Sequence, residues 1–142
     1  MNENRNTCDV VIIGAGPAGN VAARTLSGAG LRVVVVDSRH DIGNKLCTGI
    51  IGIECAARFP IDPALIYGSV KRATVRAPDG SDHVLGNEEI RALIIDRVAY
   101  IANIATEARL VGSRYVLGSR VHAVSRQEDF VEVDTRSDLG TE

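Results

Sequence analysis

The sequence predicts an α/β fold, a Rossmann-like parallel sheet with flanking helices and an antiparallel β meander. Three observations carry this. Two short β-branched runs, residues 9–13 and 31–36, read as strands buried on both faces of a parallel sheet. Between them, over residues 17–29, the pattern turns helical, a strand–helix–strand order with a right-handed crossover that makes the two strands neighbours. Near the C-terminus, residues 120–125 and 130–135 alternate apolar and polar side chains across Gln127-Glu128-Asp129, as an antiparallel pair does.

The first strand stops at Gly14. Small residues (Ala18, Ala22, Ala23) and the apolar Val21 and Leu26 define the helix, with Gly30 as its C-terminal stop. The second strand ends at Asp37. Residues 38–52 read as a polar, glycine-bearing loop, followed by a weak helix over 53–59 that ends before Pro60. Strands over 69–77 and 83–85 flank Pro78-Asp79-Gly80, where proline fixes one turn position and glycine frees another. Ile94 and Ile95 precede a helix over 97–108 that Asp96 is placed to cap. Residues 109–111 are expected to form a third parallel strand. There is no internal repeat. Residues 138–142 read as a turn into a further strand, with a plain disordered tail as the competing reading, and residues 1–142 are expected to be one domain cut short at its C-terminus. In an open parallel sheet of this kind the first strand is central, and this chain supplies only residues 31–36 beside it, which would leave its other edge open. That edge invites association of the isolated chain.

At 142 residues the chain has room for one ordinary domain. A net charge of -2 and the absence of tryptophan give no footing for nucleic acid or an anionic membrane as partner. No apolar run approaches the roughly 20 residues of a spanning helix, and the polar N-terminus lacks the layout of a signal peptide. Cys8, Cys47 and Cys55 have no metal-ligand spacing, which points to reduced thiols in a cytoplasmic protein without a metal site. His40, His83 and His122 are scattered and read as solvated or hydrogen-bonded surface residues.

The chemistry lies in Gly14-Ala15-Gly16-Pro17-Ala18-Gly19, a G-x-G-x-x-G turn. Gly14 permits the tight exit from the strand, Gly16 lets a pyrophosphate approach the backbone, and Gly19 lets the helix lie close to the strand. Pro17 suits the first helical position, where its missing N–H has no partner to lose. The helix N-terminus then offers free N–H groups to the anion. Asp37, about twenty residues on, closes the second strand where a carboxylate accepts ribose hydroxyls and repels a 2′-phosphate. A glycine turn in an ordinary α/β domain, with a solvated Asp37, is the competing reading.

The run from Asp9 through Gly19, then Asp37-Ser38-Arg39 and Ile42-Gly43, resembles the FAD-dependent oxidoreductases of the glutathione-reductase-like superfamily. Within them the chain is most similar to the geranylgeranyl reductase group, whose architecture the aromatic hydroxylases share. Lys45-Leu46-Cys47-Thr48-Gly49 resembles that group's cysteine-containing loop, and Ile95-Asp96-Arg97 resembles the lead into its next helix. The similarity covers about residues 8–135. The group's second FAD motif, a Gly-Asp pair, and the substrate-binding sheet after it have no counterpart in this chain.

The resemblance implies FAD as cofactor, in an incomplete FAD-binding domain. Gly14, Gly16, Ala18 and Gly19, in the turn with Pro17, would face the pyrophosphate. Asp37 would take the adenosine ribose, with Ser38 and Arg39 beside it, Arg39 being equally readable as a solvated loop residue. Cys47, Thr48 and Gly49 would lie near the flavin or its ribityl chain. Arg97 would reach the pyrophosphate or ribityl region, and the backbone around Val121 would meet the adenine. Cys47 is the one catalytic candidate, against a buried inert thiol. Arg97 has a rival reading as the ion-pair partner of Asp96 or Glu107.

Family members reduce isolated double bonds of isoprenoid chains. The implied partners are therefore a small-molecule or isoprenoid-lipid substrate and an electron donor such as NAD(P)H or ferredoxin, in a cytoplasmic enzyme with peripheral membrane attachment left open. An FAD-dependent aromatic-ring monooxygenase is the alternative within the superfamily. A non-catalytic NAD-binding module is the alternative outside it.

Overall fold

Fourteen elements follow one another along the computed structural model, which describes residues 7–137. In chain order they are β1 (Val10–Ile13), α1 (Pro17–Gly28), β2 (Val33–Val36), β3 (Ile50–Gly52), α2 (Ile53–Arg58) and a 3-10 turn (Pro63–Leu65). Then come β4 (Ile66–Val70), β5 (Arg72–Arg76), β6 (Asp82–Gly86), β7 (Ala92–Ile95), α3 (Arg97–Leu110), β8 (Arg114–Val116), β9 (Ser119–Arg126) and β10 (Val131–Ser137). They fall into two compact units, one made of the residues up to 44 and from 101 onward, the other of residues 45–100.

In the first unit β1, β2 and β8 form a parallel sheet in the order β1-β2-β8. Val10 lies opposite Val33 and Ile13 opposite Val36, while Val34 to Val36 face Arg114 to Val116 on the other side. Branched side chains suit this pleated surface, and three of the four β2 valines are buried. Among the described residues β2 is the middle strand. β1 is paired on one side only, which is the open edge expected. The core joins Ala15, Ala23, Val33, Val35 and Ala108, with Val10, Ile12, Leu26, Ile42 and Tyr115 against it. On α3, Ile101, Ile104, Ala105 and Ala108 are buried at the i, i+3, i+4, i+7 spacing of one helix face.

The third parallel strand lies further along than residues 109–111. Arg109 and Leu110 end α3 instead, and the Val111 N–H still donates to the Glu107 carbonyl at 3.2 Å. The break comes at Gly112, at φ +106, where the Ser113 N–H closes on the Ala108 carbonyl at 3.0 Å. β8 follows at Arg114. The antiparallel pair β9 and β10 forms as expected, β9 one residue longer at each end and β10 starting one residue later and ending two later, with a register irregularity between Asp134 and Thr135. The turn into a further strand expected over residues 138–142 lies outside the described residues.

In the second unit β3, β7 and β4 pair antiparallel in that order, and β5 pairs with β6. Two expectations change. The loop over 38–52 yields its last three residues to β3, and the strand over 69–77 is two strands in two sheets, parted at Lys71. Ile94 and Ile95, which precede α3 as expected, close β7. The Pro78-Asp79-Gly80 turn forms, with Gly80 at φ +88 and its N–H on the Ala77 carbonyl at 2.9 Å. α2 stops one residue short of the expected end. Asp96 caps α3 as expected, accepting the Ala99 N–H at 2.9 Å, and this bond and the Tyr67 hydroxyl hold its carboxyl below the usual range.

Candidate dinucleotide site

The glycine turn is built by its neighbours before any ligand is considered. The Gly14 N–H donates to the Val36 carbonyl at 2.7 Å, extending the β1–β2 ladder by one bond, and at φ +105 the chain then leaves the sheet. Gly14 occupies a conformation that costs L-residues dearly. Gly19 answers a different demand, because a Cβ there would lie 2.0 Å from the Gly14 carbonyl oxygen. Gly16 is different again. It is extended (φ -76, ψ 179), exposed, and a Cβ added to it meets nothing within 4 Å.

That open space fronts the start of α1, where Pro17 takes the first position and no side chain caps the helix. The first-turn N–H groups therefore carry the positive end of the helix dipole without an internal acceptor. A pyrophosphate fits this cradle, since glycine clears its approach and the donors face it.

Asp37 stands at the end of β2. Its Oδ2 accepts the Ala15 N–H at 2.7 Å and its Oδ1 accepts the Arg39 N–H at 2.8 Å. A carboxylate has about four lone-pair sites, so each oxygen retains one for a hydroxyl donor. The Asp37 backbone is fixed as well, with its N–H on the Val116 carbonyl and its carbonyl accepting the Ser119 N–H, both at 3.0 Å. Ser38 is half-buried and Arg39 exposed, the Arg39 carbonyl accepting the Gly118 N–H at 3.0 Å. Half-buried Val121 lies two residues beyond Ser119 on β9. The first unit thus gathers the glycine turn, Asp37, Ser38, Arg39 and the start of β9.

The second unit holds the remaining expected residues. Cys47 is exposed, which sets aside the buried inert thiol. The Gly49 N–H above all, helped by the Arg97 charge and Thr48 against a desolvation penalty, holds the Cys47 thiol below the ordinary thiol range. Thr48 is exposed, and the Ile50 N–H approaches its Oγ1 at 3.5 Å. Gly49 is buried at φ +71, and a Cβ there would fall 2.7 Å from the Ile95 carbonyl oxygen, so the β3–β7 pairing alone requires glycine. The Arg97 guanidinium donates to the Lys45 carbonyl. Glu107, its expected rival partner, pairs with Arg24 instead.

Two residues at the turn escaped the sequence reading. Asn20 is fully buried, its Nδ2 donating to the Ala15 carbonyl at 3.0 Å. Its Oδ1 accepts the Tyr115 hydroxyl of β8 at 2.9 Å. Burial pushes the Tyr115 hydroxyl up, which keeps it a donor, and the Arg109 guanidinium lies 4.5 Å from the ring centre. The available signal was an amide in the second turn of a helix of otherwise small and apolar inward residues. A buried amide there needs partners at both ends.

Residues 7–45 match the FAD binding domain family. The digeranylgeranylglycerophospholipid reductase of Methanothrix thermoacetophila is 33% identical over 118 residues, 80% of this chain and 30% of the relative. Among solved structures, the geranylgeranyl bacteriochlorophyll reductase-like protein of Thermoplasma acidophilum superimposes at a TM-score of 0.77 with 24% identity, over 95% of this chain and 36% of that one. The halogenase PltM, solved with phloroglucinol and FAD, superimposes at 0.65 with 18% identity, over 92% of this chain and 32% of that one. This chain therefore spans about a third of the length of the proteins it matches. Residues 7–45 thus match an FAD binding domain, and the chain as a whole is similar to the corresponding third of a digeranylgeranylglycerophospholipid reductase.

Proposed function

We propose that the chain supplies the FAD-binding part of a flavin-dependent reductase that saturates isolated double bonds of an isoprenoid lipid. The observation that carries the binding half is the open approach to Gly16 beside the uncapped start of α1. The substrate half is supported by the digeranylgeranylglycerophospholipid reductase relative and rests on similarity alone. Bound FAD would supply the hydride equivalent to carbon.

The residues of this chain do the holding. Gly14, Gly16, Pro17, Ala18 and Gly19 shape the anion cradle, and Asp37 offers its remaining lone pairs to ribose hydroxyls, flanked by Ser38 and Arg39. The backbone at Val121 is assigned to the adenine. In the second unit Cys47, Thr48, Gly49 and Arg97 are assigned to the flavin end, where Cys47 would present a thiol of raised thiolate character.

The same proposal takes residues 1–142 as an incomplete FAD-binding domain, supported by the 30% of its relative's length that they span. It takes the setting as cytoplasmic, supported by three unpaired thiols, and the electron donor as NAD(P)H or ferredoxin. No helix among the described residues is long and apolar enough to cross a membrane.

Titration of the chain with FAD, ADP and NAD tests the binding half, FAD and ADP being expected to compete for one site. Preference for NAD with no affinity for FAD would overturn it. For the substrate half, the complete protein with reduced flavin should be reoxidised anaerobically by a geranylgeranyl lipid. Reoxidation only by oxygen, in the presence of a phenol, would favour ring hydroxylation.

A further inference from the structure

We infer that Asn20 is a positioning residue for the cofactor, aiming the Gly16 N–H at the pyrophosphate through the carbonyl of Ala15. The inference rests on the FAD reading and adds a residue to it. Ala15 is the middle residue of Gly14-Ala15-Gly16, and both of its backbone groups are held by side chains. Asp37 holds its N–H at 2.7 Å and Asn20 holds its carbonyl at 3.0 Å.

The second bond decides a direction. A trans peptide is planar, and the carbonyl of one residue points opposite to the N–H of the next. Asn20 is wholly buried behind the turn, so drawing the Ala15 oxygen inward toward it turns the Gly16 N–H outward. Outward is the side where Gly16 is exposed and a Cβ would meet nothing within 4 Å. Among the described residues this N–H has no protein acceptor.

Asn20 is itself fixed. Its backbone N–H makes the first helical bond to the Gly16 carbonyl at 2.9 Å, and its Oδ1 takes the Tyr115 hydroxyl at 2.9 Å. With the amide oxygen committed to a donor, the NH₂ end must face Ala15, since the reversed amide would set NH₂ against the hydroxyl and oxygen against a carbonyl. Tyr115 thus sets the amide's orientation and Asn20 sets the peptide's. A leucine at position 20 would fill the space and do neither.

The test uses the ¹⁵N-labelled chain and ADP, which has the pyrophosphate without the flavin. ADP should move the Gly16 amide proton saturably downfield in the unsubstituted chain. In Asn20→Leu that shift should vanish and ADP affinity should fall roughly tenfold, the scale of a lost charge-assisted bond plus a misdirected donor. Tyr115→Phe keeps the ring, serves if Asn20→Leu fails to fold, and should lower affinity about threefold with a reduced Gly16 shift. A folded variant of either kind that keeps both the Gly16 shift and the ADP affinity would overturn the inference, whatever happens to its melting temperature. Absence of any saturable Gly16 shift in the unsubstituted chain would instead take down the pyrophosphate reading, and the inference with it.

Discussion

The Asp37 carboxylate accepts the Ala15 backbone N–H at 2.7 Å, joining the end of β2 to a glycine turn 22 residues earlier in the chain. The residue assigned to the ribose therefore also braces the turn assigned to the pyrophosphate. Asp37→Ala should remove both contributions. Hydrogen bonds to a charged group contribute about 1.5–3 kcal/mol each, so FAD affinity should fall at least tenfold, alongside some loss of stability. A flavin titration compared with a urea melt separates the two effects, and an unchanged dissociation constant would remove Asp37 from the site.

Gly19→Ala should damage the fold itself. Its Cβ would sit 2.0 Å from the Gly14 carbonyl oxygen, a backbone atom that cannot swing aside. Strain of this kind typically costs about 1–3 kcal/mol, and the urea midpoint should drop accordingly. An unshifted midpoint would mean that helix and turn are not held as closely as described.

Cys47 should alkylate at lower pH than an ordinary thiol. The Gly49 N–H first, then the Arg97 charge, stabilise its thiolate, so the rise in labelling rate with pH should centre below the usual value of about 8.5. Arg97→Gln should move the midpoint upward. Iodoacetamide labelling read by mass spectrometry across a pH series checks both, and a midpoint indifferent to Arg97 would contradict the assignment. Bound FAD should also slow the labelling; equal rates with and without FAD would leave Cys47 outside the flavin pocket.

Asp9 should contribute to stability in a defined acid window. The Arg32 guanidinium, at 2.8 Å from Oδ1, and the Arg32 N–H, at 2.8 Å from Oδ2, lower its pKa to about 2. A depressed folded pKa means the contribution is complete above the unfolded value, about 3.9, and is lost as pH falls toward 2. Asp9→Asn should flatten the melting temperature of the chain across that interval. The effect is small because the pair is exposed to solvent. A variant curve parallel to the parent's there would show that the pair adds nothing.

What the sequence disclosed and what it hid follow from the range of the forces involved. Val10–Ile13, the glycine turn and α1 were legible because branched runs, a left-handed glycine and a proline at the first helical position act locally. β8 was misplaced because Leu110 and Val111 are as apolar as a strand, and only Gly112 marks where the helix lets go. β3, β7 and the division at Lys71 were hidden because short antiparallel pairings are chosen by distant partners, Ile50 by Ile94 and Val70 by Ala92. At the site, glycine spacing disclosed the turn assigned to the anion. The Asn20–Tyr115 bond spans 95 residues and leaves no periodic trace in the chain.

The pyrophosphate assignment comes to its sharpest test at Gly16. A methyl group there meets no protein atom within 4 Å, and φ -76 suits alanine, so Gly16→Ala should fold with nearly the parent's urea midpoint. The same methyl would occupy the approach reserved for the anion. Parallel FAD titrations and urea melts of the parent and Gly16→Ala should show affinity reduced at least tenfold, about 1.4 kcal/mol or more, with stability retained. Equal FAD affinity in a stably folded Gly16→Ala chain would contradict the account.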